Sequence, residues 1–153
     1  MRFVFLDAYD RIPGERIDLA IAFKAPAIEA RGVVPSYIYN IVLRGTHDIV
    51  GTIDLRIGMN ENLYYGGHIG YAIEPAHRGN RYAAEACRLL RRVAEAHGMD
   101  KVLITCNPEN VASRKTCEAI GATLERIVEL PPHNDMYAEG ERRKCIYLWR
   151  FDP

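Results

Sequence analysis

EPAHRGNRYAAEA, residues 74–86, decides how the rest of this chain is read. Glu74 and Pro75 close a strand-like run, HIGYAIE at 68–74, and a helical period begins after Asn80. A turn between a strand end and a helix start leaves backbone N–H groups unpaired and aimed at one point, where the helix dipole also favours negative charge. Arg78 and Arg81 add positive charge there, and Gly79 lets the main chain approach a ligand closely. The unit suits phosphate oxygens. Basic residues and glycine are also ordinary loop residues, so the stretch alone leaves a plain exposed turn open. Neither common nucleotide fingerprint is present: there is no G-x-x-x-x-G-K-S/T, and no G-x-G-x-x-G follows the first strand.

Downstream, NRYAAEACRLLRRVAEAHG (80–98) places Ala83, Ala86, Cys87, Leu90, Val93 and Ala94 on one helical face, opposite Arg88, Arg92 and Glu95. Gly98 is the expected stop. KVLITC (101–106) reads as a short buried strand. Asn110 is an N-cap before VASRKTCEAIG, and Gly121 ends that helix. ATLERIVEL (122–130) and CIYLWRF (145–151) read as strands, with HNDMYAEGERRK (133–144) as a polar turn between them. Upstream, SYIYNIVLR (36–44) and DIVGTIDLRIG (48–58) are rich in β-branched and aromatic residues and form a hairpin across RGTHD. HIGYAIE adds a third antiparallel strand. RIDLAIAF (16–23) alternates imperfectly like a strand, and RFVFL (2–6) reads as a short first strand. Pro13-Gly14, Pro26 and Gly32 break the remainder into turns. The expectation is a mixed α/β (α+β) fold, with a mostly antiparallel sheet and flanking helices. No repeat, linker or charge block divides residues 1–153, so one domain is expected.

Composition excludes several classes. Lys plus Arg and Asp plus Glu each number 20, so no basic excess points to nucleic acid. The absence of net self-repulsion eases association through apolar patches, leaving a homodimer open. No apolar stretch approaches the roughly 18 residues a membrane span needs. Asp7 and Asp10 interrupt the first apolar run before a signal-peptide core could form, and a cytoplasmic location is the expectation. Cys87, Cys106, Cys117 and Cys145 are far apart in sequence and lie in apolar runs without C-x-x-C spacing, which reads as buried reduced thiols rather than a metal or redox site.

The chain around residues 36–130 resembles the GNAT N-acetyltransferase superfamily, especially its ribosomal-protein-acetylase-like branch. That family's pyrophosphate loop, Q/R-x-x-G-x-G/A, opens the long helix after its fourth strand. Arg78-Gly79-Asn80-Arg81-Tyr82-Ala83 occupies the place, with Arg81 standing where glycine is more usual. The family's segment N-x-x-A/S-x-x-x-Y/L-E-x-x-G-F/A, on the helix after its fifth strand, is matched by Asn110, Ser113, Cys117, Glu118, Gly121 and Ala122. The resemblance implies acetyl-coenzyme A (acetyl-CoA) as the cofactor. It also implies a fourth and fifth strand that splay apart around the pantetheine arm. Main-chain groups of Tyr71, Ala72 and Ile73 would then meet the pantetheine amides, with Asn107, Asn110 and Ser113 as further contacts. Asn110 serves equally as a plain cap.

The implied reaction is direct attack of an amine on a thioester, which needs a positioned nucleophile, a proton acceptor and an oxyanion donor. Ile73 N–H is the candidate oxyanion donor. His68 stands where many relatives carry a glutamate, and an imidazole with an ordinary pKa of about 6.5 is a competent base. A plain strand role for His68 stays open. Asp54, in GTIDLR, is the alternative acceptor or amine-recognising group. Many members use a tyrosine at position 117 as the acid toward the leaving thiolate; Cys117 would either protonate it weakly or pack beside it.

The acceptor pocket is expected from the first 35 residues, the early strand tips and the loop from His133 to Gly140, whose Asp135 and Glu139, with Glu141 beyond, suit a cationic amine. The partner class is a small-molecule amine or a peptide N-terminus. Two rival readings remain: a non-catalytic acyl-CoA sensor, and a dimerisation module in which Tyr147, Trp149 and Phe151 lie on an exposed last strand.

Overall fold

The computed structural model describes residues 3–152. Its strands fall into two antiparallel sheets. The first contains β1 (Arg11–Ile12), β2 (Ile17–Ala25), β3 (Ser36–Leu43), β4 (Ile49–Arg56) and β5 (Ile69–Ile73), in that spatial order. The second contains β6 (Lys101–Cys106), β7 (Thr123–Glu129) and β8 (Arg143–Arg150), in the order β6-β8-β7. Four helices accompany them: α1 (Glu61–Gly66), α2 (Tyr82–Ala96), α3 (Val111–Ala119) and α4 (Asp135–Ala138). Because β1 adds one strand at the start, the fourth and fifth strands of the resemblance correspond to β5 and β6.

Strand alternation builds the core. Tyr37, Tyr39 and Ile41 on β3, and Ile53 and Leu55 on β4, turn to one face, where Ala86, Cys87, Leu90, Val93 and Ala94 of α2 cover them. Val102 and Ile104 of β6 with Tyr147 and Trp149 of β8 continue the same core under the second sheet. Each large side chain buried here stabilises the fold by roughly 1.5–3 kcal/mol. The helical face expected for 83–94 is therefore the packed one. Gly98, at φ 80°, takes the left-handed position beyond the α2 terminus, where it adds no Cβ clash.

The first turn of α2 is tied to the β1–β2 connection through one carboxylate. Glu85 Oε2 accepts the N–H groups of Glu15 and Arg16 at 2.9 Å and of Ile17 at 3.3 Å, while Oε1 accepts Arg16 Nε–H at 3.1 Å. Burial pushes this carboxyl up, but the donated hydrogen bonds outweigh it and hold the group below its ordinary range.

Several expectations are corrected. Phe3–Leu6 is not a strand; Arg2, the first residue of that reading, lies outside the described residues. Leu6 N–H instead donates to Tyr37 Oη at 2.8 Å, and Phe3 stacks on His97, so the segment straps the open end of the core. ENLYYG forms α1, which the sequence reading left out, and Asn60 caps it. The expected polar turn at 133–144 holds α4, capped by Asn134. The last strand is not an exposed edge: β8 is the middle strand of its sheet, and Tyr147, Trp149 and Phe151 are buried. The terminal strands of that sheet are β6 and β7, and β7 is exposed along most of its length. All four cysteines are buried free thiols. Among the described residues no helix is long and apolar enough to cross a membrane.

Candidate active site

The sheet is interrupted between β5 and β6. Among the described residues a single backbone hydrogen bond joins this pair near its start, His68 N–H to Leu103 C=O at 2.7 Å. Beyond it the strands part around a cleft of about 1090 Å³. Glu74 N–H donates to Val50 C=O, and Ala72 is registered opposite Thr52. Antiparallel alternation therefore turns the main-chain groups of Gly70 and Ala72 to β4, and those of Tyr71 and Ile73 to the open side. Ile73 C=O is taken there by Arg78 Nε–H at 3.0 Å. The N–H of Ile73, with both main-chain groups of Tyr71, faces the cleft. Ala72 does not offer its main chain as expected, because β4 already uses it.

The outer end of the cleft is the turn before α2. A 3₁₀ turn at Pro75–His77 leads to an extended Arg78, Gly79 follows at φ 86°, and Arg81 precedes the helix at φ 61°. Arg81 is the sole non-glycine residue at positive φ among the described residues. A side chain held there costs about 1–2 kcal/mol, so this is the point where the usual glycine would be free of strain. No side chain caps α2, which leaves its first-turn N–H groups open. Arg78, Gly79, Arg81, Tyr82 and Ala83 line the cleft beside them. Asn80 does not: its Nδ2–H donates to His77 C=O at 3.0 Å and stiffens the turn from outside.

The far wall is the end of β6 and the start of α3. Asn110 Oδ1 accepts Ser113 N–H at 3.1 Å, so Asn110 caps α3 and also lines the cleft. Asn107 lines it too, and its Oδ1 is buried without a partner. An orphaned amide oxygen carries an energetic cost that an N–H donor would remove. A pantetheine arm carries amide N–H groups, a diphosphate suits the open α2 turn, and two strand edges stand free between them. The residues present therefore fit acetyl-CoA.

Asp54 and His68 have exchanged prospects. His68 is buried, its Nδ1 accepts Leu103 N–H at 2.9 Å, and its Nε2–H donates to Gly58 C=O at 2.9 Å. Burial lowers its pKa and keeps the ring neutral. Both nitrogens are occupied, so His68 has no lone pair for a substrate proton; with its backbone bond it clasps β5 to β6 where the cleft begins. Asp54 instead sits half-buried, with Oδ2 2.9 Å from Arg56 Nε. Burial raises its pKa, and the guanidinium opposes this only in part. A Cβ on Gly70 would stand 2.9 Å from Asp54 Oδ1 and 2.7 Å from Arg56 Nη2, so glycine makes room for this pair beside the cleft wall, although neither Asp54 nor Arg56 lines the cleft itself. Arg56 Nη1 in turn donates to Gly66 and Gly67 C=O, each at 2.9 Å.

Cys117 is fully buried and does not line the cleft. Burial, helped by neighbouring Cys106, pushes its thiol up to about 12, so it stays protonated and is no nucleophile near neutrality, and its withdrawal from the cleft takes it away from the leaving group. The expected acceptor loop lies beyond α1, where His133 pairs with Glu61, and its neighbour Glu141 pairs with the buried Lys144. Thr105, Lys115 and Lys144 line the cleft without having been singled out from sequence. Strand alternation flags Thr105, but the ends of β6 and β8 meet only in three dimensions.

A family model described as Acetyltransferase (GNAT) domain matches residues 9–123. The uncharacterized N-acetyltransferase YnaD of Bacillus subtilis (strain 168) is 25% identical over 104 residues, covering 66% of this chain and 59% of that protein. The chain thus spans less than two thirds of that curated relative. A GNAT-family acetyltransferase structure from Bacillus anthracis superposes with a TM-score of 0.60 at 24% identity, covering 76% of this chain and 67% of the other. The microcin C7 self-immunity acetyltransferase MccE, solved with acetyl-CoA and AMP, gives 0.58 at 20% identity over 75% of this chain and 61% of its own.

Proposed function

This chain belongs to the GNAT acetyltransferase domain family, and we propose that it transfers the acetyl group of acetyl-CoA to a primary amine by direct attack. The observation that carries this reading is the parting of β5 and β6 beneath an uncapped, arginine-flanked start of α2. In it, the main chain of Gly79 and of Arg81 to Ala83 and the guanidinium groups of Arg78 and Arg81 hold the diphosphate. Tyr71 and Ile73 main-chain groups, with Asn107, Asn110 and Ser113, hold the pantetheine arm. Ile73 N–H is the candidate donor to the developing oxyanion. Asp54 accepts the amine proton, and Arg56 keeps it oriented. When bound, acetyl-CoA supplies the activated acyl group.

The acceptor is a small-molecule amine or a peptide N-terminus, and the compartment is the cytoplasm, where both meet acetyl-CoA. A homodimer would pair along β7 rather than the last strand. The test is thiol release from acetyl-CoA across a panel of amines, with mass detection of the acetylated product. Asp54→Asn should lower kcat by about 10²-fold. The wild-type rate should rise with pH through a pKa above the ordinary carboxylate range, because only ionised Asp54 accepts a proton; the variant should lose that limb.

The second reading is a sensor that binds acyl-CoA without turnover, favoured by the occupied nitrogens of His68 and the withdrawn Cys117. Acetyl-CoA binding without product for any amine, and no effect of Asp54→Asn, would select it.

A further inference from the structure

Strand alternation divides the residues around the cleft between two faces. Ile53 and Leu55 of β4, Val102, Ile104 and Cys106 of β6, and Cys145 and Tyr147 of β8 turn into the core with α2. The residues between them, Asp54, Thr105 and Lys144, therefore face the other side, where α1 lies. The end of α1 joins the two halves there. Arg56 Nη1 donates to Gly66 and Gly67 C=O, and Thr105 Oγ1–H donates to Tyr65 C=O at 2.8 Å.

Lys144 is the cation on this face that acetyl transfer has not used. Its side chain is only 8% exposed, yet it lines the cleft. The other Lys and Arg residues of the lining, Arg78, Arg81 and Lys115, belong to the α2 turn and to α3. Among the described residues the Lys144 ammonium donates to Glu141 alone. An ammonium carries three N–H donors, and leaving donors of a buried charge unfilled is costly. Cys106 is registered opposite Cys145, so the next step along the ladder brings Lys144 to the level of Asn107. Asn107 Oδ1 is buried without a partner, so the two groups do not satisfy each other. This end of the wall thus holds a positive charge with donors to spare.

We propose that Lys144 makes the acceptor site selective for an amine that also carries a carboxylate. The carboxylate takes the open N–H donors of Lys144 on the β6–β8 side. The amine lies on the β5 side, in front of Gly70 and Asp54. The inference rests on the acetyl-transfer reading above and narrows its acceptor. Glu141 holds the ammonium in place and also competes for it, so the two carboxylates share one cation. Charge-assisted hydrogen bonds of this kind discriminate strongly against a neutral group of the same shape, because the amide returns no charge to a buried cation.

The test measures thiol release and acetylated product from the full-length chain with ω-amino acids, from glycine to aminohexanoate, each against its own carboxamide. At the spacing that fits, the acid should exceed the amide about tenfold in kcat/KM, with the difference in KM. A peptide pair, Ala-Glu-Ala amide against Ala-Gln-Ala amide, shows whether a free amino acid or a peptide side chain supplies the carboxylate; a preference in either series supports the inference. Lys144→Met should raise KM for the acid about tenfold and bring it level with the amide. Its CoA affinity by calorimetry, within about twofold of wild type, shows that it folds. Glu141→Gln should act in the opposite sense, lowering KM for the acid about threefold and leaving the amide unchanged, which a purely structural ion pair would not do. Acids and amides turned over equally by the wild type at every spacing and in the peptide pair would overturn the inference and leave acetyl transfer standing. So would a preference that survives Lys144→Met, or a Lys144-dependent preference for succinyl-CoA over acetyl-CoA, which would put the carboxylate on the acyl group. CoA binding with no acetylated product from any amine would remove acetyl transfer itself, and this inference with it.

Discussion

The two helices that open onto the cleft begin in opposite ways. At α3, Asn110 folds its side-chain oxygen back onto Ser113 N–H and closes the first turn. At α2, the longest helix, no side chain does this, and Arg81 stands before it in a left-handed conformation that costs stability. The helices α1 and α4 are also asparagine-capped, so the sequence uses caps freely and omits one at the cleft mouth. The difference teaches that the α3 start is finished by the protein alone, while the α2 start is completed by an anion.

That contrast can be broken from either side. The largest effect is expected from neutralising the open end: Arg78→Gln with Arg81→Gln should weaken acetyl-CoA binding about 100-fold by calorimetry, and flatten its dependence on salt. Equal loss for a neutral pantetheine fragment would place the arginines elsewhere. At the closed end, Asn110→Ala should cost about 1 kcal/mol of unfolding free energy in urea, the usual worth of an N-cap. Its effect on acetyl-CoA affinity should stay well below that of the arginine pair.

Smaller still is Arg81→Gly, which should raise stability by roughly 0.5–1 kcal/mol by relieving the left-handed backbone, while weakening acetyl-CoA by about tenfold. A variant that lost stability would show that Arg81 is a structural residue. Glu85 gives a pH test of what holds the open end in place. Its folded-state pKa is depressed, so its stabilisation is present above the unfolded value of about 4.3 and fades as pH falls through the lower folded value. Glu85→Gln should therefore be less stable than wild type near neutrality and indistinguishable from it once both forms are protonated.

The contrast also shows what can be read from sequence. Gly79, the two arginines and the change of period at Asn80 are local signals, and they located the α2 turn and the long helix. Asn110 was legible as a cap for the same reason. His68 was not, because its neighbours in the chain say nothing of Leu103, whose N–H and C=O it occupies. Cys117 sits at the motif position, but its withdrawal follows from packing among α2, α3 and the second sheet. The short α1 carries only six residues, too few for a helical period to stand out. The last strand looked like an edge because chain order hides that β8 inserts between β6 and β7.

The most direct test is amide hydrogen exchange over residues 68–84, free and saturated with acetyl-CoA. The N–H groups of Tyr71, Ile73, Gly79 and Arg81–Ala84 should exchange quickly in the free protein and slow by at least about tenfold on binding, while Gly70 and Ala72, bonded to β4, change little. Slow exchange at Tyr71, Ile73 and the α2 turn in the free protein, or no slowing at saturation, would contradict the account.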